Sequence, residues 1–146
     1  MAVGELLPKI FEGPIGSAAV VVDAIAAGAL DLWSPVILVA KGAGEDSARV
    51  NSTTTANSTA VYGVIVGPVR ASGKAADAAG DKVNVCVFGP CKVKVAAALA
   101  VGALIATSAT AGQAGAATPA IGAVLAKLLD ASGAAGDIVP CFVDAA

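Results

Sequence analysis

The residues with the most chemical reach in this chain are Cys86, Cys91, Cys141, Lys82, Lys92 and Lys94. Their types and spacings exclude more than they offer. The chain has no histidine, so Ser–His and Cys–His nucleophilic pairs and imidazole metal ligands are absent. The three cysteines lack the paired spacing of a zinc site. Gly89-Pro90-Cys91-Lys92 carries a lysine but not the glycines and Ser/Thr of a phosphate loop. Gly42-Ala43-Gly44 opens onto Glu45-Asp46, which would repel a phosphate. Asp46, Asp81, Asp130 and Asp137 stand where turns call for them, and no pair of carboxylates is set up for hydrolysis. The expectation is a protein that is not an enzyme, with no catalytic residue, cofactor or metal.

Lys82, Lys92 and Lys94 belong to the most strongly patterned stretch, Gly80 to Ser108. Asp81 to Val87 alternates, with Val83, Val85 and Val87 on one face and Lys82, Asn84 and Cys86 on the other. A period of two marks a half-buried strand. Phe88-Gly89-Pro90 interrupts it, and alternation resumes with Val93 and Val95 apolar. Two such runs around a Gly-containing loop read as a β-hairpin. Keeping both apolar faces together pairs Val87 with Cys91, Val85 with Val93, and Val83 with Val95. Lys82, Lys92 and Lys94 then share the outer face. They are candidate contacts for an acidic partner surface, although lysines on a wet strand also simply guard it against edge pairing. Cys86 falls outside and Cys91 inside, so the two should not form a disulfide although they flank one turn. A second turn at Ala100-Val101-Gly102 returns a strand over Ala103 to Thr107, giving a β-meander.

The chain of 146 residues makes one domain. Its 57% hydrophobic content comes mainly from Ala and Val, with 3% aromatic residues, so each buried side chain contributes little area. Charged residues are 14%, against roughly 25% in ordinary soluble domains, which suggests that partner protein covers part of the surface. A net charge of −2, without basic runs, argues against nucleic acid as partner. No window offers the ~20 consecutive apolar residues of a spanning helix, which argues against a membrane. The N-terminus has no basic leader, and Pro8 breaks its apolar run, so it does not read as a signal peptide.

Around the central stretch, Ala18 to Asp23, Val36 to Ala40, Val61 to Val66 and Ile138 to Val143 read as strands, with a short return strand at Arg49-Val50. Lys74 to Ala79 allows one helical turn. Ile121 to Leu129 reads as a strand or a short helix. A faint echo joins two series: Tyr62-Gly63-Val64-Ile65, Ser72-Gly73 and Gly80-Asp81, against Ile121-Gly122-Ala123-Val124, Ser132-Gly133 and Gly136-Asp137. Each reads strand, loop, Gly-Asp turn, strand. Asn51-Ser52-Thr53 and Asn57-Ser58-Thr59 match the glycan acceptor pattern, as Thr/Ser-rich loops often do by chance. Residues 1–16 carry Leu6, Leu7, Ile10 and Phe11, but Pro8 and Pro14 deny them a regular helix. This segment is expected to be an arm that orders against a neighbouring subunit or a capsid, followed by a single β-rich domain over 17–146. The rival account is that it plugs the chain's own barrel.

The order of these pieces resembles a known family. A Thr-rich stretch leads into Val61-Tyr62-Gly63-Val64-Ile65-Val66. Then come Asp81-Lys82-Val83-Asn84-Val85, Cys91-Lys92-Val93-Lys94-Val95, Val101-Gly102-Ala103-Leu104-Ile105, Ala120-Ile121-Gly122-Ala123-Val124-Leu125 and Gly136-Asp137-Ile138-Val139. From about Gly28 to Val143 this pattern resembles the capsid decoration (cement) proteins of tailed double-stranded DNA phages and related viruses. The resemblance implies an all-β fold, a small β-barrel or β-sandwich with an extended N-terminal arm. It also implies a structural virion protein on the outer surface of an icosahedral capsid, assembled in the host cytoplasm. Such a protein binds as a homotrimer and stabilises contacts between major capsid subunits. Two alternatives come from other classes: a surface-layer or adhesin-type β-domain, and a swinging-arm carrier domain modified at Lys92.

Overall fold

The computed structural model describes residues 19–118 and 123–144. Among them are nine strands and no helix: β1 (Val20–Ala26), β2 (Pro35–Val39), β3 (Ala48–Asn51), β4 (Val61–Gly67), β5 (Lys82–Lys94), β6 (Leu104–Thr107), β7 (Ala114–Ala116), β8 (Ala126–Leu128) and β9 (Ile138–Asp144). The fold is all-β, as the alternating patterns require. It is one continuous sheet in the order β1-β3-β2-β4-β5-β9-β8-β6-β7, with β1 also paired to β5, rather than a single closed barrel.

The expected hairpin does not form. Its two arms are halves of one 13-residue strand, β5. Gly89, at φ 103°, lets the strand twist without turning it back. Pairing continues through the break: Phe88 faces Asp144, Gly89 faces Val143, and Pro90 faces Phe142. What changes at the break is the partner. The first half lies between β1 and β4, and the second half lies against β9. Alternation is the same on either side of a twist and of a turn, so periodicity alone could not separate them. The meander fails with the hairpin, since β6 pairs with β7 and β8 and not with β5. Lys74 to Ala79 forms turns without a helix, and of the stretch Ile121 to Leu129 the described residues, 123–129, contribute only the short strand β8.

β5 joins two modules of the same design. In the first, β1 pairs in parallel with β3 and antiparallel with β5, β2 pairs with β3 and β4, and β4 pairs with β5. In the second, the end of β5 takes the place of β1, and β6, β7, β8 and β9 take the places of β2, β3, β4 and the start of β5. Val95 bridges Ala114 in parallel, β5 pairs with β9, β6 with β7 and β8, and β8 with β9. The registers coincide as well. Ala24↔Val83 corresponds to Val93↔Val139, Val36↔Gly63 to Ile105↔Ala126, and Ala26↔Val50 to Val95↔Ala114.

The turns repeat too. Asp81 Oδ2 accepts the N–H groups of Asp77 (2.9 Å) and Ala78 (3.2 Å), while Asp137 Oδ2 accepts those of Gly133 (2.8 Å) and Ala134 (3.0 Å). Each follows a glycine with positive φ, Gly80 at 95° and Gly136 at 88°. Leu30 exchanges backbone hydrogen bonds with Ala76, as Leu99 does with Ser132. Trp33, at φ 64°, occupies the place of Gly102, at φ 80°, and both donate to the strand beside them, to the carbonyls of Ile65 and Leu128. The Gly-Asp part of the sequence echo is therefore structural, whereas Ser132-Gly133 corresponds to Ala76-Asp77 and not to Ser72-Gly73. The Tyr62-Gly63-Val64-Ile65 part is shifted, because Gly63 corresponds to Ala126.

Two apolar clusters fill the modules. Ala24, Ala26, Leu30, Val36, Val50, Ile65, Val83 and Val85 form the first. Val93, Val95, Ile105, Ala114, Leu125, Leu128, Val139, Cys141 and Val143 form the second, which also takes in Val61, Val64 and Cys86 from the outer side of the first module. That overlap is the seam between modules. Thr107, 2% exposed, locks it: its Oγ1 donates to the Thr55 carbonyl (2.9 Å) and accepts the Ser58 N–H (2.8 Å). Asn57 reinforces it, donating its N–H to the Thr107 carbonyl (2.9 Å) and accepting the Thr118 N–H at Oδ1 (2.7 Å). Thr107→Val keeps the shape and strands two backbone groups. The expected loss is about 2 kcal/mol of stability, read from urea denaturation midpoints. Thr107→Ser should lose clearly less, and equal losses would contradict a hydroxyl lock.

Candidate interaction surface

The residues singled out from the sequence do not converge on one site. Leu6, Leu7, Ile10 and Phe11, with the arm of residues 1–16, lie outside the described residues. Lys82 and Lys94 stand at opposite ends of β5, so Lys82, Lys92 and Lys94 are not one patch. Lys82 pairs across to Ile25 of β1, whereas Lys94 pairs to Ile138 of β9. Lys92 is exposed, with its Nζ 5.9 Å from the Trp33 ring centroid, a cation–π contact. It lies inside a paired strand and not at a turn, which removes the premise of a swinging-arm lysine.

The thiols are placed differently from expectation. Cys86 is buried and not on the outside, and Cys91 is only half-buried. The close pair is Cys91 and Cys141, directly opposed across β5 and β9 with sulfurs 3.8 Å apart. All three cysteines are free. The Cys141 thiol beside it, then the Cys86 thiol, then burial push the Cys91 pKa up, so its proton stays on. A thiolate is the reactive form. Iodoacetamide at pH 8 should therefore leave Cys91 unlabelled in the folded protein, while denaturation without reductant should reveal three labelled thiols. A fast-reacting Cys91, or a count of one after denaturation, would contradict this arrangement.

The ionisable groups serve loops. Asp81 has its pKa lowered, first by the Asp77 N–H, then by the Ala78 N–H, with Arg70 nearby at 3.6 Å. Glu45 is lowered chiefly by its hydrogen bond from Arg49 Nε, at 2.9 Å. Among the described residues, no group of three His, Cys, Asp or Glu side chains is placed to hold a metal.

The notable surface is apolar, and the sequence reading missed it. On the outer face of β6, β8 and β9, Leu104 lies beside Lys127, and Lys127 beside Phe142. Leu104 is 38% exposed and Phe142 37%. With Val124, Leu129 and Asp144 they line an open groove of about 570 Å³. Phe88 extends the patch, edge-on to Phe142 with ring centroids 5.2 Å apart. The corresponding row of the first module is Pro35, Val64 and Cys86, joined by the same pairings. All three are buried. The signal was present in the sequence as Leu104 and Phe142, but their direction depends on strand pairings that no local pattern reveals.

A solved structure of this architecture is the head fiber gp8.5 N base of bacteriophage phi29. The fold is shared with a phage head protein. The likeness has a TM-score of 0.56 at 16% identity and covers 87% of this chain and 95% of the head fiber base. No family model and no curated protein matches the chain, so membership of the decoration-protein family has no support beyond the sequence pattern.

Proposed function

We propose that this protein is a structural component of a phage virion, without catalytic activity, carried on the outer surface of the capsid. It binds the major capsid protein and itself, as a homotrimer, and ties neighbouring capsid subunits together after assembly in the host cytoplasm. The observation that carries the reading is the fold shared with the head fiber base over nearly the whole of both chains. The charge-poor composition and the open apolar row of the second module support it, because both suit a surface that partner protein covers. In this reading residues 1–16 are the arm that engages a neighbour, and the exposed Lys82 and Lys92 and half-buried Lys94 face solvent or acidic partner surface.

Sedimentation of the purified chain with expanded empty shells tests the proposal. The protein should pellet with shells at micromolar concentration and add density at threefold positions in electron micrographs. Deleting residues 1–16 should weaken shell binding and leave thermal unfolding nearly unchanged. A chain that ignores shells overturns the capsid reading. A deletion that lowers the melting temperature overturns the arm in favour of a plug.

A further inference from the structure

We infer that Cys91 and Cys141 are an oxidation site: a small-molecule disulfide converts the pair into a bridge that staples β5 to β9 and closes the second module. The reduced chain, with its three free thiols, is the starting state, and the bridge forms only when that oxidant is supplied.

The two residues face each other directly in the β5–β9 register, with sulfurs 3.8 Å apart. Residues opposed across antiparallel strands have Cα atoms about 4.5–5.5 Å apart, inside the span that a disulfide accepts. Rotation of the two side chains is then enough to bring the sulfurs together, and the strands stay where they are. Cys86 is the competing partner, since its thiol also stands close enough to Cys91 to help hold the Cys91 proton on. Its sulfur, however, is turned to the carbonyls of Phe88 (3.6 Å) and Gly89 (3.9 Å). It also lies on the same strand as Cys91 and not opposite it.

The internal duplication sharpens the choice. Cys91 and Cys141 correspond to Val22 and Val85 of the first module, which pair across β1 and β5. In each pair one member is half-buried and the other fully buried. The place calls for two small apolar side chains, and a cysteine fills such a place as a small hydrophobe. Two valines meet that need in the first module. What two facing cysteines add in the second is the capacity to bond to each other.

The exchange balances in two steps. The Cys91 thiolate, the more accessible of the two, attacks one sulfur of glutathione disulfide, breaks its S–S bond and releases one glutathione thiolate. The Cys141 thiolate then attacks the Cys91 sulfur of the mixed disulfide and expels the second glutathione. The cysteines are oxidised, glutathione disulfide is reduced, and the two cysteine protons end on the two glutathione thiols. Because Cys91 keeps its proton in the folded chain, the first step is slow there and faster while the chain is folding. The bridged residues are 50 positions apart, with β6, β7 and β8 between them, so the bridge removes much of the freedom of the unfolded second module.

The test dilutes the full chain, reduced in urea, into a mixture of reduced and oxidised glutathione at pH 8. The folded fraction is then read by intact mass and tryptic mapping. The expected product has lost two hydrogens, keeps one thiol that can be alkylated, and joins peptide 83–92 to peptide 128–146. Cys86→Ala removes the other cysteine of the first peptide and should form the same bridge. The oxidised chain should melt roughly 5 °C or more above the reduced one. Cys91→Val and Cys141→Val, which carry the residue type of the first module, should fold and lose that difference. Cys141→Ala replaces Cys141→Val if that variant folds poorly. The same glutathione mixture with urea retained should give mostly the short Cys86–Cys91 loop, because near neighbours close a loop at least cost. The inference is overturned by three free thiols in the folded chain, by a glutathione adduct in place of the internal bridge, or by a Cys86–Cys91 bridge. It is equally overturned by a Cys91–Cys141 bridge that leaves the melting temperature unchanged, or by the same pairing with and without urea. None of these outcomes depends on shell binding.

Discussion

Val64→Lys should leave the chain unable to fold, although a lysine stands at the corresponding position of the second module. Val64 and Lys127 occupy matching places, each in the middle of a three-strand row. Val64 is 0% exposed and Lys127 is exposed. The difference lies in what covers each row. At Val64 an ammonium would enter an apolar cluster of Val61, Cys86 and the interior of the second module, with no carboxylate among its members. Burying an unpaired charge costs several kcal/mol, and a long stem cannot carry it to water from an enclosed seam. A small domain has only about 5–15 kcal/mol in total. The expected result is insoluble protein, or a chain without a cooperative thermal transition. The reciprocal change, Lys127→Val, should shift stability by no more than about 0.5 kcal/mol, because that row is open. A Val64→Lys protein that melts like the wild type would mean that the second module does not cover the first.

Gly63→Ala should cost about 3 kcal/mol, measured by chemical denaturation, for the addition of one methyl group. A Cβ at Gly63 would collide with the Cys86 carbonyl oxygen and lie 2.7 Å from Val85 Cγ1. The Cys86 carbonyl carbon would stand only 3.1 Å away. Most of the obstacle is backbone, and β4 is held between β2 and β5, so neither side yields cheaply. The matching residue of the second module is Ala126, buried and accommodated opposite Val143. Ala126→Gly should therefore cost only about 1 kcal/mol, as an ordinary loss of strand propensity and packing. Equal effects at the two positions would contradict the close approach of β4 to β5 at Gly63.

Several features were legible before any coordinates. Alternation in Asp81 to Val87 and in Val93 to Val95 marked real strand, and Val83, Val85, Val93 and Val95 are all buried as that pattern requires. The strands over Val36 to Ala40, Val61 to Val66 and Ile138 to Val143 exist, and the Gly-Asp turns are built as their residue types suggest. These are local properties. A period of two, a glycine free to take positive φ and an aspartate that binds nearby N–H groups act within a few residues of chain.

What only the tertiary structure decided is which strand lies beside which. Phe88-Gly89-Pro90 contains turn-forming residues, yet β5 runs straight through it, because β1 and β4 on one side and β9 beyond it hold the strand extended. That long-range pairing overrode a local turn preference. It also laid the second module over the face that carries Cys86, which buries that thiol, and separated Lys82 from Lys92 and Lys94. The duplication was visible as an echo of two turns, but its register was not, since Val64 and Lys127, or Cys86 and Phe142, share no chemistry. They share a place in the sheet. Burial at that place follows from whether another module packs over it, and the residue types have diverged accordingly.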